Sequence, residues 1–100
     1  MKFTEFSCDQ LKFSRHALEQ MFARKINPGD IRKCLEQSEI IDDYPEDTPY
    51  PSRLLLGFIK DRPIHLVLAI NELEKICILV TTYEPDKKLW GPDFKKRKML

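Results

Sequence analysis

His16, Arg53, His65 and Tyr83 are the residue types that could cleave RNA without a metal. Such cleavage removes a proton from a ribose 2′-hydroxyl, stabilises charge on the phosphate and protonates a leaving oxygen. Imidazole titrates near neutral pH, so His65 or His16 could act as acid and base. Arg53 could hold the scissile phosphate through paired hydrogen bonds. Tyr83 could donate a proton or stack on a base. Each has a structural alternative: a hydrogen-bonded strand histidine, an Arg53 ion pair with Glu46 or Asp47, a Tyr83 that caps a half-buried face. Arg15 and His16 fall in the first turn of an expected helix, where unpaired backbone N–H groups also favour a phosphate.

The elements that must position these groups follow from periodicity. Ser14 reads as an N-cap, with Phe13 and Leu18 placed as a hydrophobic staple. The helix after it runs to about Lys25, with Leu18, Met21 and Phe22 as its apolar face and Ala17 at the edge. Asn27-Pro28-Gly29-Asp30 starts a second helix, with Ile31, Cys34 and Leu35 facing the core and an end near Ser38. Glu39 to Tyr44 reads as a strand, and three prolines between Pro45 and Pro51 interrupt regular structure. Ser52–Ile59, Pro63–Ile70 and Lys75–Tyr83 are β-rich runs joined by short connectors, as in antiparallel hairpins. The expectation is an α+β fold, an N-terminal helical hairpin on one face of a three- to four-stranded antiparallel sheet.

Alternation splits the three long strands into two faces. Leu54, Leu56, Phe58, Ile64, Leu66, Leu68, Ile70, Ile76, Ile78 and Val80 are all apolar and are expected beneath the helices. Arg53, Leu55, Gly57, Ile59, His65, Val67, Ala69, Cys77, Leu79, Thr81 and Tyr83 form the other face, where the chemistry would lie.

The 100 residues suit one domain, with a core over about residues 11–94 and a basic tail at 95–100. Seventeen bases against 16 acids give a net charge of +1, which hides segregation. Glu36 to Pro51 carries six acids and no base, whereas Met1 to Leu35 carries seven bases and four acids. No apolar run reaches the ~18 residues of a membrane span, and the first residues lack a signal peptide's apolar stretch. Cys8, Cys34 and Cys77 do not read as a disulfide framework, so a reduced cytoplasmic protein is expected. No C-x-x-C or close Cys/His pair suggests a metal, and three scattered glycines make no phosphate loop. Neither a metal nor another cofactor is expected.

The segment from Tyr83 to Lys98 interleaves aromatics with six cations, including Lys95, Lys96, Arg97 and Lys98. Cations can meet RNA phosphates while rings stack on bases. The same residues could instead fold Leu89, Trp90 and Phe94 back over the sheet.

Several stretches together resemble the bacterial family named domain of unknown function 4258. They are Phe13-Ser-Arg-His-Ala17, Ile26-Asn-Pro-Gly-Asp30, Tyr50-Pro-Ser-Arg53, Pro63-Ile-His65-Leu-Val-Leu-Ala69, and Tyr83-Glu-Pro-Asp86 through Trp90 and Phe94. The resemblance spans about Leu11 to Lys98. Similar sequences commonly carry Arg in place of Gln20 and Gly in place of Lys25. The family's helix–helix–sheet order is similar to RelE-like and BrnT-like toxins and to microbial ribonucleases. It implies a small toxin-type ribonuclease of a toxin–antitoxin pair, with His16, Arg53, His65 and Tyr83 as its site. The implied partners are RNA, free or ribosome-bound, and a small antitoxin protein; the cations Arg15, Arg53 and Lys95 to Lys98 would make such an inhibitor acidic at the contact, and a homodimer is a further expectation. A catalytically inactive module that binds RNA or protein through the same face is the alternative.

Overall fold

The computed structural model describes residues 8–97. Its elements are β1 (Gln10–Phe13), α1 (Arg15–Ala23), α2 (Pro28–Glu36), β2 (Glu39–Tyr44), β3 (Ser52–Ile59), β4 (Arg62–Asn71) and β5 (Ile76–Tyr83). The fold is α+β, with a five-stranded sheet in the order β1-β5-β4-β3-β2. Three pairings are antiparallel, but β1 runs parallel to β5, so the sheet is mixed and has more strands than expected. The four residues of β1 carry too little alternation to declare a strand; β5 supplies the partner that makes them one.

The helices follow β1 rather than opening the fold, and each packs chiefly on a strand, α1 on β5 and α2 on β3. The expected N-terminal hairpin is therefore corrected to two helices spread over one sheet face. Ser14 caps α1 by accepting from the Ala17 amide at 3.0 Å. Asn27 and Asp30 exchange hydrogen bonds in a capping box at the start of α2, with Pro28 in the first turn.

Helix α1 buries Ala17 and Met21, while Leu18 is 47% exposed and Phe22 89% exposed. The expected apolar face is thus rotated. Ala17 and Met21 form an i, i+4 pair against the sheet, and the small Ala17 side chain permits close approach. Two hydrogen bonds close α1, from the Ile26 amide to the Met21 carbonyl at 2.8 Å and from the Lys25 amide to the Phe22 carbonyl at 3.3 Å. This is the Schellman arrangement, and it places Lys25 at φ 58°. A side chain there is strained, so Lys25→Gly should raise stability by about 0.5–1 kcal/mol. Chemical denaturation would read this as a higher midpoint at unchanged slope.

The core between helices and sheet holds Ala17, Met21, Ile26, Ile31, Cys34 and Leu35 against Leu55, Ile64, Leu66, Leu68, Ile70, Cys77 and Leu79. The β4 assignment agrees with alternation, but β3 and the first half of β5 are reversed. On β3 both faces are apolar, so hydrophobicity could not choose between them. Gly57 marks the helix side: a Cβ there would lie 2.4 Å from Cys34 Sγ and 2.7 Å from the Cys34 carbonyl oxygen. Leu54 and Leu56 are buried on the other face, and Phe58 is half exposed.

On β5 a register shift interrupts the alternation. Val67 pairs with Thr81 but Leu68 pairs with Leu79, leaving Val80 as the extra residue. Cys77 and Leu79 consequently face the helices, while Thr81 and Tyr83 face away from them. Cys8 and Cys77 form a disulfide with Cα atoms 5.5 Å apart, which corrects the expectation of unpaired thiols. Cys34 remains a free, buried thiol. No helix among the described residues is long and apolar enough to cross a membrane.

Candidate nucleic-acid interface

His65 stands on the sheet face turned away from the helices. Its antiparallel partners are Leu56 on β3 and Tyr83 on β5, so these three share that face. The imidazole is fully buried. Trp90 crosses it edge to face with ring centroids 4.4 Å apart, and Tyr83 contacts it at 5.3 Å. Its Nε2 lies 2.7 Å from the Phe94 carbonyl oxygen, and its Nδ1 lies 3.3 Å from the Tyr83 hydroxyl. A carbonyl only accepts, so Nε2 carries the proton and Nδ1 accepts from Tyr83.

The C-terminal segment makes this lid. The Trp90 amide donates to the Asp86 carbonyl at 2.9 Å, and the Gly91 amide donates to the Lys96 carbonyl at 2.8 Å. Trp90 bridges Arg97 across the loop, and the Arg97 guanidinium sits 5.9 Å from the Trp90 ring centre. Trp90 therefore covers His65 while Lys95, Lys96 and Arg97 run along one side of a cleft. The cleft has a volume of about 460 Å3, and Ile41, Asp42, Tyr44, Leu54, Tyr83 and Trp90 complete its walls. Lys95 also pairs with Glu39 at 3.1 Å, so the acidic strand β2 partly screens the cationic wall.

The environment sets the titration of these groups. Burial lowers the His65 pKa below its ordinary 6.5, and the Phe94 carbonyl partly opposes that shift. Burial raises the Tyr83 pKa, and Arg97 pulls against it. Tyr44 is also raised, by burial first and then by the Asp42 carboxylate and Tyr83. At neutral pH this leaves the His65 imidazole and the Tyr83 and Tyr44 phenols neutral, with the two phenols lining the same cleft as three cations. The Cys34 thiol is pushed up to about 12 by burial and then by Asp30, which makes it a poor nucleophile.

The His65 shift has a consequence for stability. An unfolded imidazole takes a proton near pH 6.5, whereas the buried one takes it only at lower pH. The contribution is complete above about pH 6.5 and is lost as pH falls from there through the folded value. The melting temperature of the wild type should drop between about pH 7.5 and 5, and drop less in His65→Gln. Equal losses in both proteins would contradict this linkage.

The other candidates lie elsewhere. Arg53 pairs with Leu68 in the β3–β4 register, on the helix side of the sheet, and its Nε lies 3.4 Å from Asp43 Oδ1. The ion pair foreseen with Glu46 or Asp47 is thus made with Asp43, its cross-strand neighbour. Arg15 and His16 are exposed at the start of α1, across the sheet from Tyr83. Lys98 lies outside the described residues. Tyr44 and Asp42 went unrecognised; the alternation of β2, broken by its shift between Ile40 and Asp42, was the signal for them. Among the described residues, no three His, Cys, Asp or Glu side chains converge as a metal site requires.

No curated protein and no solved structure matches the chain. The family model described as a domain of unknown function, DUF4258, matches residues 13–84, which includes His65 and Tyr83 and stops before Trp90. The chain belongs to that family.

Proposed function

We propose that the protein is a toxin-type, metal-independent ribonuclease whose cleft takes the RNA backbone beside Tyr83. One observation carries the reading: the Tyr83 hydroxyl stands between the buried Nδ1 of His65 and a cleft walled by Lys95, Lys96 and Arg97. The cations would neutralise the phosphate and the charge it gains as the 2′-oxygen attacks. The Tyr83 oxygen takes the 2′-hydroxyl proton as its own proton passes to His65 Nδ1. The 2′-oxygen bonds phosphorus, the bond to the 5′-oxygen breaks, and that oxygen leaves with a proton from water in the open cleft. The hydroxide so formed takes the proton back from His65 Nδ1 through Tyr83, which restores the neutral imidazole. The products are a 2′,3′-cyclic phosphate and a 5′-hydroxyl. His65 then acts through Tyr83, and Arg53 and His16 take no part at this cleft. An inhibitory protein that covers the cleft would be acidic where it meets the three cations.

A second reading, binding without cleavage, is favoured by the complete burial of His65. Both readings require the cationic wall. Reversing Lys95, Lys96 and Arg97 to Glu should weaken RNA binding about tenfold or more at low salt and flatten its salt dependence. Fluorescence anisotropy with a short RNA measures both quantities. Unchanged affinity would remove RNA from this cleft, and wild-type binding without cleavage would select the second reading.

A further inference from the structure

A second cavity lies on the same sheet face, beyond the cationic cleft. It has a volume of about 320 Å3, within the range of small-ligand sites. Val67 and Ala69 of β4 and Ile78 and Val80 of β5 line it, with Tyr50 and Asp47 from the β2–β3 connector. Asp47 is held in place. Its Oδ2 accepts from Ser52 Oγ at 2.5 Å, and its amide donates to the Tyr44 carbonyl at 3.2 Å. The carboxylate has further lone pairs to accept from a ligand. Among the described residues, no cation lines this cavity.

The two spaces are neighbours by register. Leu54 of the cationic cleft stands opposite Val67 of the apolar cavity, and Tyr44 stands opposite Ser52. A phosphate in the first therefore leaves its own nucleoside within reach of the second. An apolar space with one carboxylate acceptor suits a flat ring whose edge donates hydrogen bonds. We infer that this cavity is a nucleobase subsite that selects a base bearing an exocyclic amino group, with Asp47 as its acceptor. The inference rests on the RNA reading above and adds a specificity to it. Cytosine offers N4–H2 to a carboxylate, whereas uracil places a carbonyl oxygen at that position and is repelled.

Oligocytidylate and oligouridylate of equal length isolate this contact, because their backbones are alike. Wild type should bind the cytidine oligomer about tenfold more tightly at equal salt. Asp47→Asn keeps an acceptor for Ser52 but adds a donor, and should erase or reverse that preference with the salt dependence unchanged. Ala69→Leu, which fills the cavity, should erase it without affecting the phosphate contacts. Equal wild-type affinity for the two oligomers overturns the base subsite while leaving RNA binding intact. So does an Asp47→Asn protein that binds both oligomers equally more tightly, since that is simple relief of charge repulsion. Failure of the wild type to bind either oligomer at low salt overturns the RNA reading itself.

Discussion

Tyr83→Phe is expected to lower RNA cleavage about 100-fold or more while RNA binding stays near wild type. The substitution keeps the ring that packs edge-on against His65 and removes only the hydroxyl that faces both Nδ1 and the cleft. Phosphate contacts come from Lys95, Lys96 and Arg97, so affinity has little reason to change. The buried Nδ1 loses its donor, which costs about 1 kcal/mol and should appear as a small drop in melting temperature. Single-turnover cleavage beside anisotropy separates the chemical step from binding. Unchanged cleavage in this variant would take Tyr83 out of the mechanism.

Gly57→Ala should be the most damaging single methyl addition, costing about 3 kcal/mol. The new Cβ would meet the Cys34 carbonyl oxygen at 2.7 Å as well as its sulfur, and a helix backbone cannot rotate aside. Helix α2 would have to lift from β3, opening the contacts of Ile31, Cys34 and Leu35 with the sheet. Adding Cys34→Ala relieves the sulfur clash but not the carbonyl clash, so urea unfolding of the double variant should show partial recovery. Full recovery would place the strain in the sulfur alone.

These two positions also mark what could be read from the sequence. Strand β4 was legible because Ile64, Leu66, Leu68 and Ile70 alternate with His65, Val67 and Ala69, which set His65 on the face away from the helices. Strand β3 was not, since Leu54, Leu55 and Leu56 are apolar whichever face is core. There the decisive residue was Gly57, whose missing side chain lets α2 approach. Tyr83 was placed correctly beside His65 only because the single extra residue at Val80 returns the second half of β5 to the face that alternation assigned it. Strict alternation had put Cys77 and Leu79 on that face too. Helix caps at Ser14 and Asn27 were readable because they are local chemistry, set within three residues. The disulfide between Cys8 and Cys77 and the parallel pairing of β1 were not, because both depend on residues more than sixty positions apart.

The functional constellation divides in the same way. Alternation set Arg53, His65 and Tyr83 on one face, which holds for His65 and Tyr83 but not for Arg53, because β3 is reversed; His16 joined them from a helix start, by chemical type. The sheet separates them: Arg53 faces the helix side with Asp43, and His16 opens a helix on that side. The tail held two alternatives, contact with RNA or Leu89, Trp90 and Phe94 folding back over the sheet, and the structure shows Trp90 folded back. Trp90 closes over His65 while Lys95, Lys96 and Arg97 line the cleft. Their use depends on a hairpin-like return between Trp90 and Arg97 that no local motif announces.

The central claim is that this cleft cleaves RNA through the 2′-hydroxyl, with Tyr83 at the reacting atoms. The most direct measurement incubates purified protein with a short labelled RNA and with the same RNA 2′-O-methylated at every position, and identifies the new ends. The account predicts cut RNA with 2′,3′-cyclic phosphate and 5′-hydroxyl ends, and a methylated RNA left whole. RNA that stays intact with and without ribosomes, or cutting that ignores the methyl groups, would contradict it.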